Sequence, residues 1–439
     1  MKPDNGKKQL QRRLGLGSAA AAVAGEVIGV GIFLTPAGMA RQLGSPFWLL
    51  LVWLFMGLLA VAGALCFGGL AARYPEAGGA YVYLREAYGP RLAFLYGWMQ
   101  LLVIDPGVTA SLAVGMAAYT AAVIPLSVVA QKSLGIAVIL ALAAVNIRAA
   151  RLGGGFLQTL AWLKVGALVF LPVWAVAFCL GNWAHFSPFV AQRPGSAPLL
   201  AALAAGGMAA FYSFGGWWEA TKISEEVQNP ERVMPRALVI GVIAVTLVYV
   251  LVTGVFVYLV PINQITSDET FMAQAGRQLF GAAGGDVMAA LVVLCVVGSM
   301  AALLMLSPRV YYAMARDGIF FRPVAKVHPR FGTPARAIAI QAILASLLVV
   351  LGTFSQIVAY FVFAAVLFLG LTVASVIVLR LKLSDAPSPA VPGYPYTPLA
   401  FLALVVLLLV LLAGYNPLQS FLGVAVVSLG IPAFRMVGR

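Results

Sequence analysis

The sequence predicts an all-α polytopic membrane protein, and three observations carry the prediction. Of 439 residues, 62% are hydrophobic and 10% charged, with a mean hydropathy of +0.98. Apolar stretches long enough to cross a bilayer recur along the whole chain, and the basic residues gather in alternate connections between them. A soluble domain of this size would lack the charge to cover its surface.

A spanning helix needs about 20 consecutive apolar residues, and twelve such segments can be marked. They run near 16–38, 47–71, 92–120, 129–146, 156–180, 199–221, 236–260, 286–314, 335–351, 356–379, 397–413 and 416–434. Lys7, Lys8, Arg12 and Arg13 precede the first, and no small-residue cleavage site follows it. Residues 1–14 therefore read as a cytoplasmic tail rather than a secretion signal.

Charge fixes the expected orientation. Of 28 Lys and Arg, 22 lie in the two tails and the connections near 72–91, 147–155, 222–236, 315–336 and 380–396. Only Arg41, Lys132, Arg193 and Arg277 lie in the other set, while Lys164 and Arg309 fall inside spans. The positive-inside rule then places both termini in the cytoplasm, with the chain in the cell (inner) membrane. The net charge of +14 is scattered over these loops instead of forming one stripe, so a nucleic-acid partner is not expected. His185 and His328 are far apart in sequence, and no metal site or cofactor is expected. Cys66, Cys179 and Cys295 lie in or beside apolar spans without CxxC spacing. They are expected as buried free thiols, so no disulfide-linked partner subunit is expected either.

Two of the spans are broken by glycine near their middles. The first reads Ile28-Gly29-Val30-Gly31-Ile32-Phe33 and the other Phe211-Tyr212-Ser213-Phe214-Gly215-Gly216-Trp217. Glycine costs a helix about 1 kcal/mol relative to alanine, and unwinding in a bilayer frees backbone groups that no water can satisfy. Paired interruptions in corresponding halves point to a transporter's binding site; close helix packing is the alternative use of such glycines. Five spans precede the long external loop near 181–196 and five follow it, each set opening with its broken helix. Because five is odd, the second set enters from the opposite side, which makes the halves inverted repeats. The expected organisation is a tail at 1–14, a first repeat at 15–180, a second at 199–381, and two further helices with a C-terminal tail at 397–439.

Four motifs carry a family resemblance. Gly29-Val30-Gly31-Ile32-Phe33-Leu34-Thr35-Pro36 resembles the first-helix motif of the amino acid–polyamine–organocation transporters. Phe214-Gly215-Gly216-Trp217, with Glu225-Glu226-Val227-Gln228-Asn229-Pro230 and Pro235-Arg236-Ala237, resembles their sixth helix and following loop. Tyr74-Pro75-Glu76-Ala77-Gly78-Gly79-Ala80-Tyr81, then Tyr88-Gly89-Pro90 and Gly97-Trp98, resemble the approach to the third helix. Within the superfamily the chain is most similar to the L-type amino acid transporter branch and its bacterial relatives. The resemblance implies the leucine-transporter fold, with twelve helices, a 5+5 inverted repeat, discontinuous helices 1 and 6, and an amino acid bound between those two.

The chemistry of the breaks agrees. Unwinding at Gly29–Gly31 exposes the N–H groups of Val30, Gly31 and Ile32 at the positive end of a half-helix, which suits a carboxylate. Carbonyls near Val27 and Tyr212 are placed for an ammonium, and Phe214 and Gly215 complete the expected site. By resemblance Tyr212 is an outer gate; Trp217 and Glu219 are further gate candidates. Lys164, in Trp162-Leu163-Lys164-Val165-Gly166, lies well within span five. An ammonium at such depth costs about 2.5–3.5 kcal/mol on insertion scales and is a functional candidate by default. The resemblance puts it where sodium-coupled relatives hold their second sodium, bridging helices 1 and 8, with Ser299 as its contact. Glu26 and Asp105 are candidate proton or charge sites, Glu26 also as a partner of Lys164. Glu225 and Glu226 are expected to cap and brace the inner gate.

No nucleophile–base pair or metal cluster supports an enzyme, and an inverted repeat in one chain argues against a channel. The expected function is sodium-independent amino acid transport by alternating access, as an exchanger of neutral L-amino acids. Proton-coupled symport of amino acids, cationic amino acids or polyamines is the alternative.

Overall fold

The computed structural model describes residues 12, 14–29, 31–76, 78–148, 154–265, 271–324, 326–382, 389–415 and 417–436. Most of the expected N-terminal tail and Val30 lie outside them. Among the described residues the chain is helical throughout, apart from loops and one isolated parallel bridge.

The first span is two helices, α1 (Leu16–Val27) and α2 (Gly31–Leu43), bent by 49°. Ser45 caps α3 (Pro46–Arg73) by accepting from the Trp48 N–H, and Pro46 occupies a first-turn position where its missing donor costs nothing. A short helix, α4 (Ala80–Tyr88), precedes α5 (Pro90–Met99), which runs through a π-turn at Gln100–Ile104 into α6 (Asp105–Val123). Next come α7 (Val128–Arg148), α8 (Gly154–Ala177) and α9 (Leu199–Phe214). The second break separates α9 from a 3-10 segment, Glu219–Glu226, that leads to α10 (Pro230–Leu259). The remaining helices are α11 (Phe271–Leu306), α12 (Pro308–Arg316), α13 (Ala335–Leu351), α14 (Phe354–Lys382), α15 (Tyr396–Tyr415) and α16 (Pro417–Phe434).

Among the described residues eight helices are long and apolar enough to cross a membrane, and the bent α1–α2 pair makes a ninth. Three shorter apolar helices, Lys164–Ala177, Ala335–Leu351 and Ser420–Phe434, stand at the other expected spans. The eighth expected span, 286–314, ends earlier than the apolar pattern implied. Pro308 lacks the N–H that would continue the ladder, so α11 stops at Leu306 and Arg309 belongs to α12.

The core is built from paired helices. α3 packs along α10, α1 on α10, α2 on α9, α6 on α11, and α7 and α6 on α13. At Gly68 an added Cβ would sit 2.7 Å from the Pro235 Cα, so α3 and the start of α10 are in backbone contact there. Backbones approach this closely in membranes only at small residues. The N-terminal end of α1 is tied to the segment after the second break. Leu14 N–H donates to the Glu226 carbonyl (3.0 Å), and Gln228 N–H to the Leu14 carbonyl (2.9 Å). On the same side Arg85 of α4 forms ion pairs with Glu76, Glu86 and Asp317 at 3.0–3.2 Å, and Tyr81 also donates to Asp317.

One cysteine departs from expectation. Cys66 and Cys295 are buried, but Cys179 is exposed just beyond the end of α8, with φ at 51°. α8 stops at Ala177, which puts Cys179 in the turn that follows. The expectation of three buried thiols fails there, and with it that argument against a disulfide-linked partner.

Gly68→Val should force α3 away from α10 at Pro235 and cost about 1–3 kcal/mol, read as a lowered Tm in detergent. Gly254→Ala is the control: nothing lies within 4 Å of its added Cβ, so its Tm should hold or rise.

Candidate functional site

The two breaks meet at the centre of the molecule. At the first, Ile28 N–H still bonds the Ala24 carbonyl, but Gly29 N–H turns back onto the Val27 carbonyl at 2.6 Å and the helix ends. α2 restarts at Gly31, so the N–H groups of Gly31 and Ile32 head a helix and have no partner within it. At the second, Gly215 leaves the helical region (φ −54°, ψ 143°), and Gly216 adopts φ +112°, open to glycine without strain. An added Cβ at Gly216 would lie 2.8 Å from the Glu26 carbonyl, and one at Gly31 would lie 2.4 Å from the Ser213 Cα. The glycines therefore serve both readings: they break the helices and let the breaks touch. Thr35 Oγ1 and Ser213 Oγ share a hydrogen bond of 2.7 Å beside Gly31.

The Tyr249 hydroxyl of α10 links the breaks. It is a donor within reach of the Val27 carbonyl at 2.8 Å and the Ser213 carbonyl at 3.0 Å. Sequence reading missed Tyr249, although a phenol in the apolar run Leu247–Val252 must find a partner when buried. Of the expected ammonium acceptors, Val27 thus shares its carbonyl with Tyr249, and the Tyr212 carbonyl accepts from Gly215 N–H at 3.1 Å.

The Tyr212 ring faces α6 and α14. Its hydroxyl lies 3.2 Å from Ser111 Oγ, and its ring packs edge-on against Phe354 and Phe361. Two expected site side chains point elsewhere. Phe214 packs against Trp53 and Tyr249, and the buried Trp217 packs against Phe67 of α3. With its ring so engaged, Phe214 offers a substrate only its backbone. It is Trp218 that lines a cavity, with Phe67, Tyr96, Gln100, Ile104 and Phe368 among its walls.

The charged candidates lie around this centre. The Lys164 Nζ donates to Ser299 Oγ at 2.6 Å, with Lys164 6% exposed. Glu26 is exposed and interacts with Lys164 only over a longer range, so the pairing envisaged between them is not a contact. Asp105 is buried at the start of α6, where its carboxylate accepts from Tyr311. The π-turn before it adds a residue to the helical turn and resets the face that α6 presents. Glu219 is paired with Lys222. The expected cytoplasmic loop at 222–236 is therefore helical at its start, and Lys222 belongs to the interior with its side chain 16% exposed. A count of Lys and Arg could not separate it from true loop cations.

The amino acid permease family profile matches residues 14–429. This chain belongs to the amino acid permease family. The serine/threonine exchanger of Bacillus subtilis (strain 168) is 29% identical over 407 residues, covering 91% of this permease and 90% of the relative. The human b(0,+)-type amino acid transporter 1 is 30% identical over 389 residues (87% and 78%). The human large neutral amino acids transporter small subunit 2 is 28% identical over 430 residues (97% and 80%). These relatives are transporters of amino acids, not enzymes, and the permease is a multi-pass protein of the same kind.

Tyr249→Phe removes the hydroxyl common to both breaks while keeping the ring packing. It should lower amino acid uptake about tenfold, the effect of roughly 1–2 kcal/mol from an unmade buried hydrogen bond. Uptake in proteoliposomes, with Tm as the check on folding, measures it.

Proposed function

We propose that this permease is a sodium-independent exchanger of neutral L-amino acids that works by alternating access, with the substrate held between α1–α2 and α9. The carrying observation is the contact of the two breaks, with helix-heading N–H groups on one and carbonyls on both. The Gly31 and Ile32 donors suit the carboxylate, and the Val27 carbonyl region suits the ammonium. Backbone recognition leaves the side chain free to vary.

The packing supports an inverted repeat of residues 15–180 and 199–381. Counting the expected spans in order, α1 on α10 is matched by α9 on α3, and α6 on α13 by α11 on α7. Likewise α8 on α11 is matched by α14 on α6, and α8 on α10 by α14 on α3. A pseudo-two-fold axis requires such pairs. α15 and α16 pack on α14 and stand outside the scheme.

The Lys164–Ser299 bond supports sodium independence, because an ammonium held by a helix-11 hydroxyl occupies space a cation would need. Tyr212 acts as the outer gate, and the Leu14–Glu226–Gln228 tie and the Glu219–Lys222 pair close the inner side. The charge distribution supports cytoplasmic termini in the inner membrane. Exchange is favoured by the likeness to the serine/threonine exchanger.

Liposomes holding the purified permease should take up labelled L-serine or L-leucine when unlabelled amino acid is trapped inside, and not otherwise. Uptake driven by a pH gradient alone, lost in Glu26→Gln or Asp105→Asn, would establish symport instead. Lys164→Ala should cut counterflow at least about tenfold, as expected of a functional intramembrane charge, with Tm retained; unchanged counterflow would remove the lysine from the mechanism.

A further inference from the structure

We propose that Lys222 is a resident cation: its ammonium fills the place that the charged end of a cationic substrate would take, and thereby confines the permease to neutral amino acids. The inference rests on reading the breaks as an amino acid site, and it names what selects the side chain.

Three carboxylates from three elements interact with Lys222. Glu219 opens the 3-10 segment and pairs with it directly, the two side chains being 16% and 24% exposed. Asp105, 5% exposed, comes from α6 and interacts with it electrostatically, as does Glu26 at the end of α1. Tyr311 and Ser307, from α12 and the turn before it, add neutral hydroxyls on the Asp105 side. Lys164 is held by Ser299 and reaches this group only through its longer-range interaction with Glu26. Lys222 is thus the cation on which three acids converge.

A cavity lies against chain neighbours of this group, its walls including Trp218, Ile104, Gln100 and Tyr96. Trp218 comes two residues after Gly216, and Ile104 immediately precedes Asp105, so this wall adjoins both the second break and the acids. Gln100 is 2% exposed; its amide nitrogen donates to the Tyr96 hydroxyl, while its Oε1 has no partner. The unpartnered Gln100 acceptor is a wall residue that favours a donor, and the carboxylates next in the chain to Trp218 and Ile104 favour positive charge. A cationic side chain would be drawn to them, but Glu219, the carboxylate in direct contact, is already paired with the chain's own ammonium. Removing one partner from such a group leaves uncompensated buried charge, which a second ammonium of the right length can restore.

The full-length permease, purified and reconstituted in liposomes, tests this with labelled L-arginine set against labelled L-leucine. Lys222→Met should raise the L-arginine to L-leucine uptake ratio about tenfold over wild type, the discrimination one charged contact can supply. L-Arginine should also raise the Tm of Lys222→Met and not that of wild type. Lys222→Arg keeps the cation and should exclude L-arginine as wild type does, and adding Asp105→Asn to Lys222→Met should cancel the gain. If Lys222→Met is unstable, purification in L-arginine should restore its Tm. A variant that neither binds nor transports L-arginine overturns the proposal, as does failure of that rescue, or wild type that handles L-arginine as well as L-leucine. Absence of neutral counterflow in wild type would instead overturn the exchanger reading, and the Tm comparison would still judge Lys222.

Discussion

The rest of the structure depends on how two interrupted helices satisfy backbone groups in an interior without water. Each interruption frees donors and acceptors that cost several kcal/mol if left alone in hydrocarbon. Here the interruptions are placed against each other, at the contact of Gly31 with Ser213 and of Gly216 with the Glu26 carbonyl. Side chains supply the remainder: Thr35 and Ser213 at the start of α2, and Tyr249 between the carbonyls of α1 and α9. Around that centre the paired helices act as scaffold. The same juxtaposition that makes the breaks tolerable gathers polar backbone groups where a zwitterion can meet them.

Charge inside a bilayer is retained when something is gained by it; here Glu219 and Lys222 follow the second break, while Glu26, Asp105 and Lys164 come from α1, α6 and α8. Lys164 and Lys222 divide the work: one is held by a hydroxyl of α11, the other by carboxylates of three different segments. On the readings proposed above, the first bears on which coupling ion can be accommodated, the second on which side chain can be.

Much of the architecture was legible in the sequence because the bilayer writes it in a coarse alphabet of length, apolarity and glycine. Both breaks, and the partnership of Lys164 with Ser299, lie where the motifs place them. What could not be read depends on rotation about a helix axis and on local hydrogen bonding. Trp217 and Trp218 are adjacent and chemically alike, yet it is Trp218 that lines the cavity while Trp217 packs on Phe67. The π-turn before Asp105 leaves no mark in composition, yet it sets which face Asp105 occupies. Lys222 reads as one more loop cation until the segment after the second break proves to be helical and packed inward. Cys179 reads as buried because it borders an apolar run, whereas α8 ends two residues before it.

Tyr249 carries one hydroxyl hydrogen, and two carbonyls lie within its reach. When it turns to Val27, whose carbonyl already accepts from the Gly29 N–H, the Ser213 carbonyl goes without it. An arriving ammonium brings three hydrogens to that neighbourhood and cancels the shortage. A carrier built this way would cross the barrier between its two faces more readily full than empty, and each return trip would favour a new passenger. Obligatory exchange would then be a matter of hydrogen stoichiometry as well as of gates.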